Sequence, residues 1–337
     1  MMPTQVRFGY RAVAEQYPPE KLLQFTQLAE EAGFEFVSIS DHFHPWFHDG
    51  GHAAFAWVWL AAAAERTRTI RLGTGVTTPI NRYHPAIIAQ AFATLGVIYP
   101  GRIRLGLGTG EAMNEIPVGQ RWPPFEERAT RLEESLKIIR ALWENDFATF
   151  QGKYFSVKDA KLYDRPSIPI PIYLAAGGAR MAEMAGRLAD GLYTAPTQEA
   201  AVRDVLFPSL RRGAKEASRD FEKIARLTFC NIVWDADYDK ARKAIRRWRV
   251  TAYPGIFSKN TWDPRKLDEL GEKVSPEDLE WRWVICTDLD EAIKGVERWV
   301  KLGFNEVEIR SCSPNEEEFI RRFGREALPY LRELYGG

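Results

Sequence analysis

The sequence predicts an α/β fold, a single (β/α)8 barrel carrying insertions. Three observations point to it. Eight short apolar or alternating runs are each followed by a segment of helical periodicity. The runs ending near Ser40, Gly75 and Gly108 all finish in polar or glycine-rich stretches, as expected where barrel strands open onto a site at their C-terminal face. No linker or low-complexity tract divides the 337 residues, a length that one barrel with insertions commonly fills. A doubly wound sheet is the rival architecture. Against it, Gly106-x-Gly108-x-Gly110 places its last glycine one residue too early for the dinucleotide fingerprint.

The first strand covers 6–10. A helix follows over 18–31, with Leu22, Leu23, Phe25, Leu28 and Ala29 on one face until Gly33 stops it. Strand two spans 36–40 with a helix over roughly 54–65, strand three 69–75 with a helix over 85–95, and strand four 102–108 with an amphipathic helix over 125–143. An excursion at 147–162 alternates like a hairpin around Gln151-Gly152-Lys153. Strand five is 171–175, closed by Gly177-Gly178 and a helix from Ala179; strand six is 191–194 with a helix over 199–218. Strand seven is 227–234 with a helix over 238–250. An irregular stretch bearing Pro and Trp occupies 251–274, and a short extra strand 283–287. A helix over 288–302, strand eight at 305–310 and a closing helix over 315–331 complete one domain, 1–337, with insertions at about 109–124, 145–165 and 251–287.

Composition narrows the function classes. Lys+Arg and Asp+Glu are equal at 46, so the chain as a whole lacks the electrostatic footprint of a nucleic-acid or anionic-membrane binder. Cys230, Cys286 and Cys312 have neither disulfide-framework nor zinc-ribbon spacing, which suits a reducing compartment. Residues 1–9 lack the basic-then-apolar pattern of a signal peptide, and the longest apolar run, 53–64, is too short to span a bilayer. The expectation is a cytoplasmic protein acting on a small molecule, with no nucleic-acid or membrane partner.

Residues 40–52, Ser-Asp-His-Phe-His-Pro-Trp-Phe-His-Asp-Gly-Gly-His, hold four of the five histidines; the fifth is His84. Histidine is the readiest acid or base near neutral pH, and Asp41 and Trp46 stand beside these four. A wet loop with incidental histidines is the bland alternative. Gly75-Val76-Thr77, the run from Gly108 to Asn114, and Gly177-Gly178 close three further strands. Glycine there lets backbone N–H groups approach a ligand, and a helix starting after Gly178 would offer its positive end to a phosphate. One such cluster alone is a tight turn; four strand ends in succession point to a large bound cofactor. His44 and His48 have zinc-ligand spacing, but Pro45 breaks the helix they would need and no carboxylate or cysteine trio completes a shell. No metal is expected, and a His42 base with Glu111 or Asp41 as its acid partner accounts for the same residues.

Ser40-Asp41-His42-Phe43-His44-Pro45-Trp46, Thr74-Gly75-Val76-Thr77-Thr78-Pro79, the run from Asn81 to Leu95 and Gly108-Thr109-Gly110-Glu111-Ala112-Met113-Asn114-Glu115 resemble the deazaflavin branch of the bacterial-luciferase-like superfamily. Within it the chain is similar to F420-dependent glucose-6-phosphate dehydrogenases and secondary alcohol dehydrogenases. The F420-dependent methylenetetrahydromethanopterin reductases keep the Asp-His pair but usually lack the Trp and the Gly-Glu-Ala-x-Asn-Glu run; the flavin monooxygenases lack the combination. The resemblance implies coenzyme F420 as cofactor and a homodimer. It implies His42 as the base for the hydroxyl proton, Trp46 over the reacting carbon and Glu111 as a proton partner of the reduced ring. Asp41, Gly75, Val76, Thr109, Gly110, Asn114, Gly177 and Gly178 match cofactor-lining positions, and a non-proline cis peptide would fall at Gly75-Val76. The sugar-phosphate enzymes hold the phosphate with three cations. Arg282 matches one and Lys259 lies within about one residue of another. The third position reads Gln198, losing one charge-assisted contact worth roughly 1.5–3 kcal/mol. The sequence thus sits between a sugar-phosphate and an alcohol dehydrogenase, with a phosphorylated sugar favoured. A reductase running the same chemistry in reverse and a non-catalytic deazaflavin-binding relative are the further alternatives.

Overall fold

The computed structural model describes residues 5–336. The barrel wall begins with β1 (Arg7–Ala12), β2 (Phe36–Ile39), β3 (Arg71–Thr74) and β4 (Ile103–Leu107). An antiparallel hairpin of β5 (Ala148–Gln151) and β6 (Ser156–Ala160) stands outside it. The wall continues with β7 (Ile172–Ala175), β8 (Gly191–Thr194) and β9 (Ala225–Trp234); after the short β10 (Val284–Cys286) comes β11 (Glu306–Ser311). Neighbours around the wall are β1-β2-β3-β4-β7-β8-β9-β11, all parallel, and β11 closes on β1 with Arg7 opposite Glu306. β10 pairs only with the far end of β9, Val284 opposite Ile232.

Alternation divides each strand between two environments. Val307 and Ile309 of β11, Val37 and Ile39 of β2, and Leu105 and Leu107 of β4 join the main apolar core under the helices. The other face of β11 meets the barrel axis with charge. Arg104 crosses from β4 to Glu306 (3.1 Å) and Glu308 (2.8 Å), and also reaches Ser38 on β2 (2.6 Å). Tyr173 donates to Glu306 (3.1 Å) and Tyr193 to Glu308 (2.6 Å). The interior is therefore a cross-linked ionic network, tolerable when buried because nearly every charge has a partner.

Three predicted helices depart from regularity, two of them at a proline. The segment expected at 199–218 runs as Glu199–Ala201, a wider π-helical stretch Val202–Leu206, then Phe207–Glu216. Pro208 has no N–H for the Asp204 carbonyl, so the turn before it widens. Pro329 acts in the same way on the closing helix, where Phe323–Ala327 is widened between Glu316–Arg322 and Leu328–Tyr335. The helix expected at 238–250 ends at Ala244 and tightens into 3-10 turns over Ile245–Ala252.

The stretch expected to be irregular contains two helices, Pro264–Gly271 and Pro276–Glu280. Their start signals are Asp263 and Ser275, whose side chains accept from the Arg265 and Asp278 amides just ahead of an N-terminal proline. These helices roof the barrel mouth with a second apolar cluster, in which Trp248, Ile256, Leu267, Leu279 and Trp283 pack with Trp46 and Phe47.

Candidate active site

β1 and β2 pair with Ala12 opposite Ile39, so the loops leaving them run side by side. His42 Nε2 lies 3.5 Å from Glu15 Oε1 and 3.9 Å from Glu111 Oε2. Its Nδ1 is buried with no partner among the described residues. Ser40 Oγ donates to Glu15 Oε2 and accepts from the Ala14 amide (3.0 Å), which ties the two loops together. Burial pushes the Glu15 carboxyl up, but His42, the Ser40 hydroxyl and Arg11 outweigh it and hold the group below the usual carboxylate range. Glu15 was not among the sequence-predicted residues. Its only sequence signal is a carboxylate just beyond a barrel strand.

Glu111 comes from the loop after β4, immediately before the short helix Ala112–Glu115. Asn114 donates from Nδ2 to Glu111 Oε2 (3.1 Å) and accepts at Oδ1 from the Phe43 amide (2.8 Å). One side chain thus fixes the Glu111 carboxylate relative to the histidine loop. Trp46 is buried, its ring centroid 6.0 Å from that of His42 and edge-on to Phe257 at 5.2 Å. Of the remaining histidines of the loop, His44 Nδ1 lies 2.9 Å from the Trp262 carbonyl, while His48 and His52 bond through their backbone amides, to the Asp268 carboxylate (2.9 Å) and the Glu15 carbonyl (3.0 Å). Among the described residues no group of three or more His, Cys, Asp or Glu side chains is placed to hold a metal ion.

The rim over β3, β4 and β7 is backbone. The Gly75-Val76 peptide is cis, and Arg11 Nη2 donates to the Gly75 carbonyl (2.7 Å). A Cβ at Gly106 would lie 2.1 Å from the Thr74 carbonyl oxygen and one at Gly108 2.6 Å from Val76, so the bulge after β3 can sit against β4 only over glycine. Gly110 has φ +69°, and Arg128 donates to the carbonyls of Thr109 (3.1 Å) and Gly110 (3.4 Å). A Cβ at Gly177 or Gly178 would meet nothing within 4 Å. Gly178 leads directly into the helix Ala179–Leu188, whose first turn has no side-chain cap. Open backbone at an uncapped helix start fits a phosphate-bearing cofactor.

Asp41 is buried and committed. Thr77 Oγ1 donates to its Oδ2 (2.7 Å) and Arg82 Nη2 to its Oδ1 (3.1 Å). Beneath this pair, burial pushes the Glu115 carboxyl up to about 7, although one of its oxygens accepts from the Arg82 amide (2.8 Å).

Among the described residues, the three expected to hold a phosphate have free polar groups in common. Arg282 is half-buried with its guanidinium 4.7 Å from the Trp281 ring centroid, and its Nε is buried with no partner among the described residues. Lys259 is exposed, its ammonium 5.4 Å from the Tyr253 ring. Gln198 is exposed just after β8.

A parallel barrel with a His–carboxylate cluster at its mouth and a glycine-built rim beside it defines an enzyme of the cofactor-binding barrel class. The chain belongs to the luciferase-like monooxygenase family, whose sequence model matches residues 2–306. It is 41% identical over 337 residues to an F420-dependent glucose-6-phosphate dehydrogenase of Nakamurella multipartita, covering 100% of this chain and 99% of that one. A protein of the same description from Mycolicibacterium smegmatis is 41% identical over 333 residues, covering 98% and 99%. Among solved structures, an F420-dependent secondary alcohol dehydrogenase in complex with an F420-acetone adduct superposes with a TM-score of 0.94 at 37% identity, over 97% of this chain and 99% of that one. The coenzyme F420 dependent tetrahydromethanopterin reductase from Methanopyrus kandleri superposes with a TM-score of 0.80 at 25% identity, over 97% and 99%.

Proposed function

We propose that the protein is a coenzyme F420-dependent dehydrogenase that oxidises a C–OH group, with a sugar phosphate such as glucose 6-phosphate as substrate. The observation that carries this reading is the contact of His42 with Glu15 and Glu111 beside Trp46, in a chain 41% identical end to end to glucose-6-phosphate dehydrogenases. When bound, the deazaflavin supplies a two-electron hydride acceptor. His42 takes the hydroxyl proton at Nε2, and Glu15 orients the ring and stabilises its charged form. Glu111, fixed by Asn114, exchanges a proton at its carboxyl on the cofactor side. Trp46 and the roof behind it exclude water from the reacting carbon. Gly75, Val76, Thr109, Gly110 and Asn114 would line the cofactor ring, and Gly177 and Gly178 its phosphate. Asp41 would act through Thr77 and Arg82, which already occupy its carboxylate. Arg282, Lys259 and Gln198 are the sequence-matched residues for the substrate phosphate.

A secondary alcohol is the second reading, favoured by the uncharged Gln198 and by the likeness to the alcohol dehydrogenase. Adding glucose 6-phosphate and then isopropanol to protein with oxidised F420, and following the deazaflavin absorbance, separates them. Bleaching by glucose 6-phosphate supports the first and bleaching by isopropanol alone the second. Bleaching by neither overturns the dehydrogenase reading, and oxidation of F420H2 by methylenetetrahydromethanopterin would put the reductase in its place. The whole chain would act as one domain in the cytoplasm, where three free buried cysteines stay reduced. It would do so as a homodimer joined through Val58, Ile87, Val97 and Ile98, exposed on the helices Ala56–Arg66 and Pro85–Ile98.

A further inference from the structure

The top of β11 carries a cation for which the chemistry at His42 has no use. Glu306, Glu308 and Arg310 alternate along the strand. The two glutamates are paired with Arg7, Arg11 and Arg104. Arg310, the next residue on that face, has no carboxylate within 4 Å among the described residues. Its one hydrogen bond runs from Nη1 to Asn231 Oδ1 (3.2 Å), the residue opposite it on β9.

The guanidinium lies 3.9 Å from the centroid of the Trp248 ring, 5.3 Å from that of Trp283 and 5.7 Å from that of Phe229. The residue is only 9% exposed. The box is rigid: Trp248 donates from Nε1 to Gln16 (3.3 Å) and meets Phe47 edge-on at 5.2 Å. Burial pushes the group down to about 10, with Arg11 adding to the shift and Glu15 opposing it, so it stays charged at neutral pH.

A desolvated cation without a counter-ion is costly. A planar fork with free donors between aromatic walls suits a carboxylate or phosphate, which it can bind through two parallel hydrogen bonds. Topology places this fork in the half of the mouth opposite the glycine rim. β11 lies between β9 and β1, and β1 leads to Glu15, the partner of His42.

We propose that Arg310 is a substrate-binding residue that receives an anionic oxygen, carboxylate or phosphate, carried by the alcohol whose carbinol meets His42. This rests on the dehydrogenase reading, narrows it to oxyanion-bearing alcohols, and gives the anion to Arg310 in place of Arg282, Lys259 and Gln198. The competing role is a structural clamp that pins Trp248 to β9 and β11.

The test compares wild type, Arg310→Met and Arg310→Lys, each loaded with F420. The substrates are glucose 6-phosphate, lactate and isopropanol. The expected result is a rise of about 10- to 100-fold in KM for the anionic alcohol that wild type oxidises, with partial rescue by lysine. The KM for isopropanol should change much less than that for the anionic alcohol, and the F420 affinity should stay within twofold of wild type. Glucose 6-phosphate against lactate tells phosphate from carboxylate. Equal losses on neutral and anionic alcohols, or no loss on either, would overturn the proposal in favour of the clamp.

If wild type oxidises no alcohol, the dehydrogenase reading fails by itself. Arg310 is then judged by tryptophan fluorescence during titration with inorganic phosphate and with lactate. Saturable quenching that is lost in Arg310→Met sustains an anion site, and identical curves or no quenching overturn it.

Discussion

The two halves of the barrel mouth are made of different material. Over β3, β4 and β7 the mouth is shaped by glycine: Gly75, Gly106, Gly108 and Gly110 let neighbouring loops pack closely, Gly177 and Gly178 leave backbone open, and Arg11 and Arg128 bond to carbonyls to hold the loops. Over β9, β11 and β1 it is side chain: Asn231, Arg310, Glu15 and the Trp248–Trp283 box. A broad planar ring is best met by backbone that no Cβ keeps away. A small substrate is discriminated by a few polar groups fixed in apolar walls. His42 stands at the seam between the halves, and Asn114 crosses to it from the β4 loop.

Removing the seam should separate the halves most sharply. His42→Ala is expected to lower kcat about a thousandfold while the F420 dissociation constant, read by fluorescence titration, stays within twofold of wild type. Loss of F420 binding with chemistry intact would put His42 on the wrong side of the comparison.

A pH effect comes next. Under the side-chain half, burial pushes the Glu316 carboxyl up to about 7 against hydrogen bonds from Tyr10 (2.9 Å) and Tyr17 (3.5 Å). Its folded value is raised, so the neutral form belongs to the fold. The stabilisation is fully present below about 4.5 and is lost as pH rises through 7. Thermal melts of Glu316→Gln should be flatter across that window, gaining on the order of 3 kcal/mol on wild type by pH 8. Parallel melting curves would show that Glu316 is already ionised in the fold. Glu115, pushed up to about 7 beneath the glycine half, should give the same sign.

On the backbone side, Gly110→Ala places a Cβ 2.4 Å from Thr78 at φ +69°. A cost of roughly 1–3 kcal/mol is expected, seen as a lower Tm and weaker F420 binding, with the KM for substrate little changed. The smallest effect is expected for Asn114→Ala, which frees Glu111 without removing it. A fall in kcat of about tenfold follows from one lost charge-assisted bond, and a change confined to KM would mean that Glu111 faces substrate.

The backbone half was legible because its signals are local. A glycine at the end of a strand and a histidine two residues past one are read within a few positions, and Gly75-Val76 carries its cis peptide where the resemblance placed it. The side-chain half was legible only in part. Glu306, Glu308 and Arg310 do show a charge at every second residue, the mark of a strand with a polar inner face. Reading it would have required knowing that this barrel fills its axis with ion pairs. The Asp263-Pro264 and Ser275-Pro276 starts were also readable, yet the proline and tryptophan around them gave the look of an irregular loop. Glu15 carried no motif at all.

By itself the sequence determined the eight strand–helix units, the loops that bear glycine and histidine, and hence one side of the mouth. Only the tertiary structure decided which distant groups meet. His42 finds Glu15 because β1 and β2 pair in a particular register, and Arg310 finds Asn231 because β11 closes the barrel between β9 and β1. Closure joins Arg7 to Glu306, 299 positions apart. Local periodicity sets which residues face inward. It cannot set which inward-facing residues share a layer, since that follows from the stagger of a closed sheet.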